Sequence, residues 1–197
     1  MSDPVILILA AGHSSRMGGM RDKLLELIGN EPLLQVMVER ALGASKQVFV
    51  CLPDAAHPRV ACLGNVRPIW VPEADEGMAA SIRTGISALP EGAGDVMILP
   101  ADMPELTSED LATVWRAHQP GAITRGASAD GVPGHPVIFP QDLLRELFEL
   151  RGDAGAKSVI VRHRQRVHLV PLPDQHALVD LDTPEAWAAW RASQTQD

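Results

Sequence analysis

Five apolar residues in a row, Val5–Leu9, run straight into a glycine-containing turn, residues 9–23 reading LAAGHSSRMGGMRDK. An unbroken apolar run of this length is what a strand covered on both faces requires, so it predicts the central strand of an open α/β sheet. Ligands of such sheets collect at the carboxyl ends of the strands, and that is where the turn falls. A glycine there lets backbone N–H groups approach phosphate oxygens, and Arg16 and Lys23 add cations to neutralise them. The spacing is neither GxxxxGK[ST] nor GxGxxG. Taken alone, an ordinary strand-to-helix turn with two surface cations explains it equally well.

The remaining elements follow the same rhythm. Helices are expected over 32–43, 78–89, 108–118, 141–150, 154–163 and 183–190, and strands over 47–52, 67–71, 95–99 and 167–172. Thr107, Ser108 and the acidic pair Glu109 and Asp110 announce the third helix. Around 121–140 the alternation breaks: two strands, 121–124 and 136–139, flank a loop of small residues, 126–134, which suggests an antiparallel or accessory piece. Residues 193–197 are expected to fray. The expectation is a single α/β domain over 1–197 with a mainly parallel mixed sheet, its nucleotide-binding half about 1–105 and its acceptor-binding half about 106–190.

Charge and composition narrow the function. Lys and Arg number 17 against 25 acidic residues, a net charge of −8, and no basic run supplies a nucleic-acid footprint. Small-molecule substrates are therefore expected, with neither nucleic acid nor membrane as partner. Residues 4–11 are too few to span a bilayer and lack a basic leader. Cys51 and Cys62 are too few and too far apart for a disulfide framework or a CxxC metal site, which fits a reducing cytoplasm.

Two carboxylate segments stand out. In 99–104, LPADMP, Asp102 follows a buried strand at the sheet's carboxyl edge, where a hard cation such as Mg²⁺ finds an oxygen ligand. Read alone, a turn-forming aspartate is the stronger alternative. In 179–184, VDLDTP, alternation puts Asp180 and Asp182 on one face. Asp182 is placed to cap the final helix, a role that does not prevent it from serving as an oxygen ligand as well. Asp95, at the opposite end of its strand, is expected to be only a surface residue, and the run 162–166 a solvated face.

LAAGxSxRMG with a following Lys resembles the signature of nucleotidyltransferases with a glycosyltransferase-A-like fold, and within them most closely the molybdenum cofactor cytidylyltransferases and their relatives. The resemblance continues in order through EGMAASIRTG (76–85), LPADMP, GHPVIFP (134–140), RGDAGAK (151–157) and VDLDTP. It implies a three-layer α/β/α sandwich that transfers CMP from CTP to a molybdopterin-type cofactor, releases pyrophosphate and depends on Mg²⁺. It also implies transient contact with a molybdenum oxidoreductase or its chaperone.

Carried over residue by residue, the resemblance puts the nucleotide on Leu9, Ala10, Ala11, Gly12, Ser14, Arg16, Lys23, Gly77, Met78 and Ser81. Arg16, Lys23 and Asp102 are the catalytic residues, and Asp102 and Asp182 the metal ligands. The acceptor falls to Gly134, His135, Pro136, Gly152, Asp153, Gly155 and Lys157. Ala11 in LAAG favours the cytidylyl branch, whose guanylyl counterpart shows LAGG. Four residues rather than the usual three stand between Gly18 and Lys23, so Arg21 is a second candidate for the Lys23 role. Transfer to a sugar or polyol phosphate, use of GTP, and non-catalytic carriage of the cofactor are the alternative functions.

Overall fold

The computed structural model describes residues 4–17, 21–152 and 155–194. Nine strands and six α-helices are found among them: β1 Val5–Leu9, β2 Leu27–Ile28, β3 Glu31–Pro32, α1 Leu33–Ala44, β4 Gln47–Leu52, β5 Arg67–Trp70, α2 Met78–Ser87, β6 Val96–Pro100, α3 Ser108–Arg116, β7 Ile123–Ala127, β8 Pro133–Phe139, α4 Leu144–Phe148, α5 Lys157–Arg162, β9 Val167–Pro171 and α6 Pro184–Gln194. Seven strands form one sheet in the order β5-β4-β1-β6-β8-β7-β9, and β2 and β3 make a separate hairpin that the sequence did not announce.

β1 is the hinge of the topology. It pairs in parallel with β4 on one side and with β6 on the other. The chain first builds outward through β4 and β5, then returns past β1 to lay down β6, which makes the β1/β6 boundary the switch point where a crevice opens. β8 runs antiparallel to both β6 and β7, while β7 and β9 are parallel, so the sheet is mixed as expected.

Alternation along the strands divides the core into layers. Ile6 and Ile8 face α1, α3 and α6, in a cluster with Leu34, Met37, Leu111 and Trp187. Val5 and Leu7 face the other side, toward Ala80 of α2. That layer continues through Ile98, Val137, Leu147 and Val159 against α4 and α5. The arrangement is the expected α/β/α sandwich.

Several boundaries differ from expectation, for local reasons. The stretch 141–150 is not one helix: a 3-10 turn, Gln141–Leu143, leads into the short α4. β7 and β8 reach further toward each other than expected, so the loop of small residues shrinks. Asp95 is more than a surface residue: it accepts from the Gln141 N–H at 2.8 Å and lies 2.9 Å from Nε2 of His118. In 162–166, Arg162 and His163 pair with Glu146, and Arg166 with Asp142. Ser193 and Gln194 extend α6, and the rest of the expected frayed tail lies outside the described residues. No helix among the described residues is long and apolar enough to cross a membrane.

Candidate active site

The β1/β6 crevice holds a cavity of 490 Å³ lined by the residues of the β1 turn, by Lys23, Gly77, Met78 and Ser81, and by Asp102, His135, Asp180 and Asp182. Three backbone links assemble it. The Ala101 N–H donates to the Leu9 carbonyl at 3.2 Å, tying the turn after β1 to the end of β6. The Leu181 N–H donates to the Asp102 carbonyl at 3.0 Å, which brings the carboxylates of 180–182 beside Asp102. The Ala79 N–H, at the start of α2, donates to the Gly152 carbonyl at 3.2 Å and docks the 151–157 segment on that helix.

At the centre, the Lys23 ammonium donates to Asp102 at 2.5 Å and also to Asp182. Arg16 donates to the other Asp182 oxygen at 2.5 Å. Burial alone would lower the Lys23 ammonium, but the charges and hydrogen bonds of Asp102 and Asp182 outweigh it and hold its pKa above the ordinary value. For Asp182, burial pushes up, and Lys23 and Arg16 overcome it, keeping the carboxyl below its usual range. Asp180 goes the other way, raised by burial and by the negative charges of Asp102 and Asp182. Asp102 and Asp182 thus converge on a single ammonium. The final helix takes its cap elsewhere, because Thr183 Oγ1 accepts from the Ala186 N–H at 3.2 Å and leaves the Asp182 carboxylate to the cations.

Lys23, not the exposed Arg21, reaches this centre. Gly18, Gly19 and Met20, where the longer spacing is absorbed, lie outside the described residues, as does Asp153.

One residue that the sequence did not point to organises the turn. Arg59, in the 3-10 helix Pro58–Cys62, is 1% exposed. Its guanidinium holds both oxygens of Asp22 at 2.7 Å, the Ala10 carbonyl at 2.5 Å and Ser14 Oγ at 3.1 Å. Ser14 Oγ in turn accepts from the Lys23 N–H at 3.2 Å. Against a burial effect that pushes Asp22 up, the Arg59 pair holds its carboxyl below the ordinary value. Arg59 is therefore the buttress that fixes the turn before any ligand arrives. A lone arginine in a loop carries no periodicity to mark it; the one available signal is that a loop following β4 must lie beside the turn following β1.

The glycines divide by purpose. Gly77 takes φ 99° at the start of α2, a backbone region reserved for glycine. Gly12 does not use positive φ; a Cβ there meets nothing within 4 Å, so what its bare backbone provides is an open approach for a ligand. Gly134 is a packing glycine, since a Cβ would stand 2.0 Å from the Ala177 carbonyl oxygen. A Cβ on Gly155 would meet Sδ of Met78 at 2.7 Å, so this glycine seats the 151–157 segment against α2. Of the expected acceptor residues, His135 lines the cavity; Gly134, Pro136, Gly152, Gly155 and Lys157 do not, and Lys157 is exposed at the start of α5.

His135 is different in character. Its Nδ1 is buried without a hydrogen-bond partner. Burial, with the nearby Arg125 charge, pushes its pKa down to about 4 despite the opposing pull of Asp102, so the ring is neutral at physiological pH.

Hard oxygen donors at the crevice suit a divalent cation. Among the described residues no group of three or more His, Cys, Asp or Glu side chains is placed to cage a metal. Asp102 and Asp182, bridged here by the Lys23 ammonium, offer two carboxylates, which fits an ion that takes one or two of them and completes its shell with water and substrate phosphates.

A mainly parallel α/β sheet with a buttressed glycine turn, a lysine and paired aspartates at its switch point defines a nucleotide-binding transferase. The family profile of the MobA-like NTP transferase domain matches residues 6–167, and the chain belongs to this family. It is accordingly a nucleotidyltransferase. Molybdenum cofactor guanylyltransferase of Cereibacter sphaeroides is 28% identical over 183 residues, covering 91% of each chain. Bifunctional protein GlmU of Corynebacterium aurimucosum is 30% identical over 166 residues, 80% of this chain but 32% of that protein, so the chain spans about a third of the GlmU length. Rv0371C from Mycobacterium tuberculosis H37Rv, solved in complex with manganese, shares the fold with a TM-score of 0.81 at 24% identity, over 98% of this chain and 100% of that one.

Proposed function

We propose that this nucleotidyltransferase moves CMP from CTP onto the phosphate of a molybdopterin-type cofactor, with release of pyrophosphate and dependence on Mg²⁺, in the cytoplasm. The observation that carries the reading is the convergence of Lys23, Arg16, Asp102 and Asp182 at the mouth of the glycine turn. In this reading the backbone of residues 9–14 cradles the triphosphate, and Arg16 and Lys23 neutralise the departing pyrophosphate. Gly77, Met78 and Ser81 flank the nucleotide's base end. An oxygen of the acceptor phosphate attacks the α-phosphorus in line; the new O–P bond forms as the bond to the β-phosphate oxygen breaks, and both electrons of that bond leave with pyrophosphate. The acceptor phosphate is already ionised, so no general base is required. Asp102 and Asp182 would hold the divalent cation, which would supply charge neutralisation at the phosphates. Gly134, His135, Pro136, Gly152, Asp153, Gly155 and Lys157 frame the acceptor, and the product passes to a molybdenum oxidoreductase or its chaperone.

CTP is favoured by Ala11, because LAAG resembles the cytidylyl branch whereas the guanylyl branch shows LAGG. GTP is the second reading, favoured by the similarity to molybdenum cofactor guanylyltransferase. Pyrophosphate release with CTP, GTP, ATP and UTP, each with and without molybdopterin, decides. Release that requires molybdopterin and prefers CTP supports the proposal. Preference for GTP moves it to the second reading, and release with a sugar or polyol phosphate but not molybdopterin sinks it.

A further inference from the structure

In the strand beside that of His135 stands a cation with no acidic partner among the described residues. Arg125 lies in β7 opposite Val137 of β8, on the sheet face covered by α2, α4 and α5. Its Nε and one terminal nitrogen donate to the Gly134 carbonyl at 3.2 and 3.1 Å. Among the described residues no carboxylate pairs with it. The side chain is half-buried, and burial alone lowers its pKa from the ordinary value. Partly desolvated charge is costly unless an opposite charge answers it, and here the protein supplies only a carbonyl dipole.

The carbonyl that Arg125 grips belongs to the residue before His135. Ile98 of β6 is opposite Val137, so His135 lies two residues further toward the edge where Asp102 leaves the sheet. The His135 ring lines the cavity and carries the unpartnered Nδ1. Two neighbouring groups thus lack a partner, a guanidinium without a counter-ion and an imidazole whose Nδ1 donates in its Nδ1–H tautomer, and an anion rich in hydrogen-bond acceptors answers both. Among the described residues, Lys23 and Arg16 already have carboxylates in Asp102 and Asp182, and Arg59 has Asp22.

We propose that Arg125 and His135 form an anion subsite at the acceptor end of the cavity, which takes a phosphate monoester of the acceptor. The inference rests on the reading of a phosphorylated acceptor and adds the residues that recognise it. Arginine suits the role because its planar fork keeps one terminal nitrogen free while the other two nitrogens hold the Gly134 carbonyl. The subsite would set the acceptor's position and leave the nucleotide side untouched.

The test is binding of phenyl phosphate, followed by titration calorimetry, with the phosphate turn filled by magnesium pyrophosphate. Wild type binds; Arg125→Gln binds at least tenfold more weakly, Arg125→Lys lies between them, and His135→Phe loses several-fold. Pyrophosphate affinity stays within twofold in all, which serves as the control for an intact fold. In turnover with molybdopterin, Arg125→Gln raises the acceptor KM and leaves the nucleotide KM within twofold. No phenyl phosphate binding by wild type, equal binding by Arg125→Gln, or a parallel loss of pyrophosphate binding in both Arg125 variants overturns the proposal. The two readings fail separately: absence of turnover with molybdopterin would overturn the assigned acceptor, whereas Arg125-dependent binding of phenyl phosphate would still support the subsite.

Discussion

The two sides of the crevice are prepared in opposite ways. On the side proposed to hold the nucleotide, Arg59 is answered by Asp22, Lys23 by Asp102 and Asp182, and Arg16 by Asp182. On the side proposed for the acceptor, among the described residues, Arg125 has the Gly134 carbonyl alone, and Nδ1 of His135 has no hydrogen-bond partner. The difference teaches where rigidity and where binding energy reside. A turn that must present backbone N–H groups to a triphosphate gains from being fixed in advance, since preorganised donors need no rearrangement at the moment of reaction. A subsite whose polar groups are unanswered gains more when the right anion enters, because the ligand removes an existing desolvation cost.

Substitutions can break this contrast, beginning with the one expected to do most. Asp102→Ala should lower metal-dependent turnover by on the order of 10³-fold or more while thermal unfolding stays close to wild type. Wild-type-like turnover would remove Asp102 from the reaction. Arg59→Met leaves the Asp22 carboxylate unpaired in a mostly buried network, and urea unfolding should show a loss of about 3–5 kcal/mol, accompanied by a raised nucleotide KM. A loss under about 1 kcal/mol, the scale of an exposed pair, would show that the turn does not depend on its buttress.

Gly134→Ala tests the acceptor side as architecture. The new Cβ would press on the Ala177 carbonyl, so a cost of about 2–3 kcal/mol is expected by the same unfolding measurement; a neutral change would return Gly134 to a role in ligand approach alone.

Acid sharpens the contrast further. Burial holds His135 near 4, below its ordinary 6.5. The folded protein therefore binds this proton less readily than the unfolded chain. The stability tied to the neutral ring is complete above pH 6.5, is lost as pH falls from 6.5 toward 4, and changes no further below that. The difference in Tm between wild type and His135→Gln should move in wild type's disfavour across that window. A difference independent of pH would show that the ring is not held neutral by the fold. The smallest effect is expected from Lys157→Ala: an exposed charge should raise the acceptor KM only about threefold, in keeping with the small value of solvated ion contacts.

What was legible in the sequence follows from which physical signals are local. An apolar run ending in a glycine turn, and a buried strand ending in Asp102, are written in adjacent residues, and both sit where they were expected. Helix ends were less clear, because 141–150 keeps an apolar periodicity that a 3-10 turn and a short helix satisfy as well as one helix does. Leu42 of α1 is apolar yet 46% exposed, so an apolar residue within a helix does not by itself mark the buried face. Arg59 and Arg125 were not legible. Each is placed by pairings that local sequence does not display, Arg59 by Asp22 and Ala10 far along the chain, Arg125 by the β7–β8 pairing that sets Gly134 beside it. An arginine between apolar residues in 123–127 is a cue only once the strand's inward face is known.

The central claim is that this crevice transfers a nucleotidyl group. It is tested most directly by following label from CTP through a single turnover with molybdopterin and Mg²⁺. The account predicts that α-phosphorus label ends on the acceptor, that γ-label leaves only as pyrophosphate, and that removing the metal by chelation stops both. Label from the γ-phosphate released as inorganic phosphate, with the α-label left on CDP, would contradict it.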